Sequence, residues 1–352
     1  MTAPVADRQT GRTVYFDYLR VFATFAVMVL HASASTWFAA DVNGFQWKTV
    51  NFYICITRWG VPVFAMISGA LFLNRDIPIR RIYSRYICRL AISFAVWAII
   101  YAAFAGGSIR TMIASAAVGY YHMWYILMTI GLYMCIPLIK PIVRNEAGMK
   151  YYLVLAFIFA FAIPEIVTLA KSLGNETVIK AAGALDDNLH DMSMHVVLGY
   201  TGYFILGYFL HRITLSRKQR IAIYVSGLSG FVFTVGMELL FASRNQYSGG
   251  IYIDYFSVNI LMESIAVFTF CRYHQFKGRR WNQLFKNLSK YSFGAYLVHV
   301  LVIEQVTDRM GLDVLSFNPV LSVPCTGFAV FVLSFSVSAL LNRIPAVNQY
   351  IV

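Results

Sequence analysis

Asp17, Arg20 and His31 stand in a run from Val14 to Phe38 that is otherwise fit for lipid. Ionisable groups are costly inside a membrane span, so they face a cavity or a partner and mark a working site. Asp17 and Arg20 are three residues apart, the spacing of an ion pair across one helical turn. Arg20 and His31 are eleven apart, which on a helix returns His31 to within roughly 20° of Arg20 and about 16 Å further along the axis. All three then look into one groove. The chemistry such a set supports is proton abstraction by an imidazole, with a fixed guanidinium cation held by a carboxylate further along the same wall.

Composition says what must position them. Of 352 residues, 59% are hydrophobic and 13% charged, and the mean hydropathy is +0.62. This is the profile of a polytopic membrane protein rather than a soluble domain. The expected fold is an all-α integral-membrane bundle of about ten helices. The spans lie near 14 to 37, 50 to 73, 86 to 105, 122 to 143, 151 to 169, 195 to 211, 220 to 241, 252 to 271, 291 to 307 and 319 to 341. Residues 1–13 and 342–352 form flanking cytoplasmic segments around a transmembrane domain at 14–341. The first span is too long, and Asp17 and Arg20 too close to it, for a cleavable signal peptide. The larger outward connections run from Gly106 to Tyr121 and from Ala170 to Met194.

The net charge of +13 follows membrane orientation rather than nucleic acid. With both termini inside, 21 of the 29 Lys and Arg residues fall on inner segments and six on outer ones. The inner set includes Arg8, Arg12, Arg80, Arg81, Arg85 and Arg89. The outer set is Lys48, Arg110, Lys171, Lys180, Arg244 and Arg309. That partition obeys the positive-inside rule throughout. Cys55, Cys88, Cys135, Cys271 and Cys325 are scattered singly among apolar residues, which predicts no disulfide and no metal site.

Six blocks in order carry a resemblance: YFDYLRVFATFAVMVLHA, TRWGVPVFAMISGALFL, RRIYSRYICRL, HMWYILMTIGLYMCIPLI, GYTGYFILGYFLHR and KYSFGAYLVHVLVIE. Together they resemble the acyltransferase-3 family of membrane O-acyltransferases. The nearest branch in appearance is the short, single-module one whose members acetylate bacterial surface polysaccharides, enterobacterial common antigen among them. The resemblance implies a multi-pass protein of the bacterial inner membrane. It also implies acetyl-CoA, or another acyl-CoA, as co-substrate rather than a resident cofactor, and a carbohydrate or lipid-linked glycan as acceptor. In that family an arginine and a histidine eleven apart in the first span carry activity, matched here by Arg20 and His31. Arginines after the second span, matched by the stretch from Arg81 to Arg89, are associated with the acyl-CoA donor. The family often carries a fused periplasmic hydrolase-like domain; with Val352 soon after the tenth span, that partner is expected to be separate.

The residues bear this chemistry on their own terms. A sugar hydroxyl is a weak nucleophile until its proton is taken, and His31 is the candidate base; the alternative is a histidine that only packs helices. Arg20 would steer the donor or stabilise charge on the thioester oxygen, with Asp17 orienting it. Arg81, Arg85 and Arg89 fall at i, i+4 and i+8, which would stack three guanidinium groups on one helical stripe for coenzyme A phosphates. The positive-inside rule alone would also put arginines there. His122, Trp124 and Tyr125, at an outer span end, form either an aromatic belt or a sugar platform. Arg58 and Glu165 either pair with each other or contact the acceptor, and Asn259 and Glu263 share a face of the eighth span. His299, near the centre of the ninth span, reads more readily as structural. The rival reading is an exporter or flippase of a glycan or lipid-linked intermediate, without covalent chemistry. Such a protein needs no coenzyme A site.

Overall fold

The computed structural model describes residues 13–311 and 313–352, apart from the side chains of 195, 196 and 306–310. Arg8, Arg12 and the side chains of His195 and Arg309 therefore lie outside the described residues. Among those described there is no β-strand. The order is α1 (Tyr15–Ala39), α2 (Phe45–Thr57), α3 (Gly60–Phe72), α4 (Ile79–Arg81), a π-helical turn (Ile82–Ile87), α5 (Cys88–Ala105) and α6 (Ile109–Val118). Then follow α7 (Trp124–Arg144), α8 (Glu146–Ala156), a second π-helical turn (Phe157–Ala162), α9 (Ile163–Leu173), α10 (Glu176–Met192) and α11 (Met194–Arg212). The chain closes with α12 (Arg217–Asn245), α13 (Val258–Tyr273), α14 (Arg279–Met310), α15 (Pro319–Leu341) and α16 (Pro345–Tyr350).

Seven of these helices or continuous helix runs are long and apolar enough to cross a membrane: Tyr15–Ala39, Phe45–Phe72, Ile79–Ala105, Ile109–Arg144, Glu146–Leu173, Arg217–Asn245 and Pro319–Leu341. An eighth is added if the pair Glu176–Met192 and Val197–Arg212, bent by 76°, is one broken span. The other two expected spans are present as helices of different character. α13 has 16 residues, short of the about 20 that a bilayer core needs. α14 is 32 residues long but carries Lys286, Lys290, His299 and Glu304. The outward connection expected from Ala170 to Met194 is mostly helix: Asn175 caps α10 by accepting from the Val178 amide at 3.0 Å.

Local sequence explains the irregular points. Pro62 cannot donate to the carbonyl of Arg58 and its ring would strike it, so the expected span from 50 to 73 opens between α2 and α3 at Arg58 and Trp59. α13 starts at Val258, six residues later than expected, because the chain before it is held as a loop. Glu238, fully buried in α12, accepts from the Tyr252 amide at 2.7 Å and the Gly250 amide at 3.3 Å. Arg58 donates through Nε to the Ile253 carbonyl, and Asn259 donates to the Tyr252 carbonyl at 2.7 Å.

α1 is the central element and packs on α2, α3, α13, α14 and α15. Between helices in lipid, close packing rather than apolar transfer supplies the adhesion, so small residues let backbones meet. The tightest approach is α3 on α11. A Cβ on Gly69 would sit 1.7 Å from the Phe204 carbonyl oxygen, and one on Gly207 would sit 2.0 Å from that of Met66. Each glycine therefore receives the other helix's backbone.

Candidate active site

The two ends of α1 face different surroundings. At the His31 end three imidazoles meet. His31 Nδ1 lies 2.7 Å from His299 Nε2, and the two rings are stacked with centroids 5.0 Å apart. The His122 ring stands edge-on, 5.1 Å from His299 and 6.4 Å from His31. His299 and His122 are sealed, at 0% and 1% exposure, whereas His31 is partly exposed. Among the described residues none bonds His31 Nε2. Of the three, His31 is the ring a substrate can touch.

Aromatic side chains wall this cluster. Tyr121 stands edge-on to His31 at 5.6 Å, and Tyr101 and Tyr296 flank His122 at 5.1 and 5.6 Å. Tyr120 donates to Glu304 Oε1 at 2.6 Å. Behind Tyr120 and Tyr121 is a cavity of about 550 Å³, made by the small side chains of Ala98, Ala102, Ala105 and Ala114 on α5 and α6.

At the other end, Arg20 lines a cavity of about 400 Å³ together with Arg89 and Lys290. Its wall combines hydroxyls (Ser68, Thr129, Ser289, Ser292) with aromatic rings, including Tyr86, Tyr125, Tyr133 and Tyr296. Three cations beside hydroxyls and aromatics suit an elongated anion with an apolar stretch. Tyr296 belongs to both regions, since its ring also lies 5.6 Å from His299. Asp17 is buried at the same end of α1.

The sequence-derived sets are redistributed. Arg81, Arg85 and Arg89 do not form one regular α-helical stripe, because the π-helical turn over 82–87 widens the winding between them. Only Arg89 lines the Arg20 cavity, while Arg81 and Arg85 are exposed outside its lining. Arg89 also donates to the Val352 carbonyl, beside bonds from Ser93 Oγ to Tyr350 O at 2.9 Å and Trp97 Nε1 to Ile351 O at 3.2 Å. The trio His122, Trp124 and Tyr125 divides. His122 joins the imidazoles, Tyr125 lines the Arg20 cavity, and Trp124 lies tilted against Tyr200 and Tyr255 at 5.7 and 5.9 Å.

Arg58 and Glu165 have separate partners. The Arg58 guanidinium sits 4.3 Å over the Tyr255 ring, besides its bond to Ile253, while Glu165 Oε2 accepts from the Val258 amide at 3.4 Å. Asn259 and Glu263 meet at Thr234, whose hydroxyl lies 2.6 Å from Asn259 Nδ2 and 3.1 Å from Glu263 Oε1. That makes them a polar clasp between α12 and α13. His299, read from the sequence more readily as structural, is the ring bonded to His31, and the signal that singled out His31, an ionisable group in an apolar run, was present there too. Glu238, inside the apolar run from 220 to 241, carried the same signal, whereas Tyr120, Tyr121 and Tyr296 carried none.

The family model described as an acyltransferase domain matches residues 13–342. No curated protein and no solved structure matches the chain. The family match spans the helix of Arg20 and His31, both cavities beside it and nearly everything that frames them, so the chain belongs to the acyltransferase-3 family.

Proposed function

We propose that this membrane acyltransferase takes an acyl group, acetyl above all, from acyl-CoA on the cytoplasmic side. It delivers the group to a hydroxyl of a surface polysaccharide or lipid-linked glycan on the outer side of a bacterial inner membrane. The observation that carries this reading is the cationic cavity at Arg20, whose Tyr296 wall backs onto the imidazole cluster at His31. Arg89 and Lys290 suit the coenzyme A phosphates, with Arg81 and Arg85 drawing the anion toward the mouth. Arg20, eleven residues and about 16 Å from His31, grips the donor's arm rather than the carbonyl that His31 faces, and Asp17 orients it.

His31 is the base. The acceptor hydroxyl passes its proton to His31 Nε2 as its oxygen attacks the thioester carbonyl. The carbon–sulfur bond then breaks, and the imidazolium returns the proton to the departing thiolate. The acceptor approaches past Tyr121, and the sealed His122 backs the rings it meets. An apolar anchor fits the alanine-walled cavity behind it. Trp124, over the patch that Arg58 and Tyr255 form, and Glu165 are further acceptor contacts.

Purified protein given labelled acetyl-CoA and a glycan acceptor should bind the donor and transfer label. Glycan movement without donor binding or acylation would instead identify an exporter. Orientation is read separately. A cysteine at Asn175 should react with a membrane-impermeant reagent from the outside and one at Lys218 should not; the reverse pattern would overturn the assigned direction.

A further inference from the structure

His299 is sealed from solvent, so it cannot meet a substrate, yet it makes the one hydrogen bond that His31 has among the described residues. Its own second bond decides what that contact means. His299 Nδ1 lies 2.5 Å from the Tyr296 carbonyl oxygen. A carbonyl only accepts, so Nδ1 of His299 carries the hydrogen. No carboxylate among the described residues bonds His299, and an unpaired cation sealed at such a place is costly. The ring is therefore neutral, with one N–H, which leaves its Nε2 as an acceptor. The group that donates to it at 2.7 Å is His31 Nδ1, so a neutral His31 carries its hydrogen there and has a bare Nε2.

We infer that His299, held by the Tyr296 carbonyl, is a positioning residue that fixes His31 in the tautomer whose exposed Nε2 accepts the substrate's proton. This deepens the reading of His31 as the base and rests on it. The hydrogen-bond chain runs in one direction: His31 Nδ1–H to His299 Nε2, and His299 Nδ1–H to Tyr296 O. After proton transfer His31 is an imidazolium with hydrogens on both nitrogens, and its Nδ1–H still donates to His299. The cation is thus stabilised by a neutral ring dipole instead of a carboxylate. Nothing in the chain must rearrange when the proton arrives, which keeps the base pre-set.

The test combines three variants with a spectroscopic reading. His299→Leu removes the acceptor; His299→Gln keeps one, since its amide oxygen can reach the position of Nε2; His31→Ala removes the base. Loss of the acceptor should lower kcat by about 10²-fold or more, the scale at which misdirected bases fail. KM for acetyl-CoA should stay within about twofold, because the donor cavity is untouched, and His299→Gln should recover most of the rate. In ¹⁵N NMR of histidine-labelled wild-type protein in lipid, the signal lost in His31→Ala should be that of an Nδ1–H tautomer. In His299→Leu it should become a mixture.

An Nε2–H tautomer at His31 in the wild type overturns the inference, whatever the variants do. So does full kcat in His299→Leu alongside an inactive His31→Ala, which leaves the base assignment standing. A fully active His31→Ala removes the base assignment itself.

Discussion

The two ends of α1 solve opposite problems with the same helix. Around Arg20 the protein leaves a cavity of about 400 Å³ and lines it with three cations. Around His31 the space, about 550 Å³, lies behind Tyr120 and Tyr121, while the imidazole itself is held by the sealed His299. Recognition of a long anion tolerates such looseness, because each cation adds its share and neighbours can compensate. Proton transfer does not, because one nitrogen must be bare and aimed. Substitutions at the Arg20 end should therefore degrade the protein by degrees, and those at the His31 end should fail outright.

The largest effect tests the tight end. His31→Ala should reduce glycan acylation by about 10²- to 10⁴-fold, the range for a general base, with acetyl-CoA affinity unchanged by calorimetry. An equal loss of donor binding would show that the two ends are not separable.

At the loose end Arg89→Ala should weaken acetyl-CoA binding by about tenfold, as expected for one charge-assisted contact. The double substitution Arg81→Ala with Arg85→Ala should weaken it less, since neither residue lines the cavity, and most of that loss should vanish in high salt. A double variant weaker than Arg89→Ala at every ionic strength would restore the three-arginine stripe that the sequence suggested.

The smallest effect lies outside both ends. Asp76, on the connection after α3, is exposed, with Lys140 Nζ at 3.1 Å and Arg144 Nη2 at 3.0 Å from its carboxylate. Its bond to Lys140 and that cation's charge, then Arg144, hold its carboxyl below the ordinary value. A depressed carboxyl contributes stability above its unfolded pKa and loses it as pH falls through the folded one. Asp76→Asn should lower the melting temperature slightly at neutral pH, and the difference should disappear in acid. A gap that widens on acidification would assign the stabilisation to another group.

What the sequence disclosed was chiefly what lipid forbids. Each of the ten expected segments contains helix, since long apolar runs have few alternatives in a bilayer. His31 and Arg20 stood out because charge is costly there. The missing detail depends on partners distant in the chain. The late start of α13 depends on Glu238, which accepts from the loop that precedes that helix. The separation of Tyr125 from His122 depends on the wall that Tyr296 of α14 sets between them, and aromatic residues at span ends are too common to announce such roles.

The reciprocal seating of Gly69 and Gly207 bears on how the molecule can move. Two helices whose backbones touch cannot slide or roll past each other without a steric penalty, so α3 and α11 travel as one strut. Any opening of the cavities beside α1 must then come from elsewhere, along α5 and α6, where alanines leave space. Spin labels on α3 and α11 should keep their separation when acetyl-CoA is added, while a label on α6 should shift against both. The transferase would then have a stator and a single moving wall.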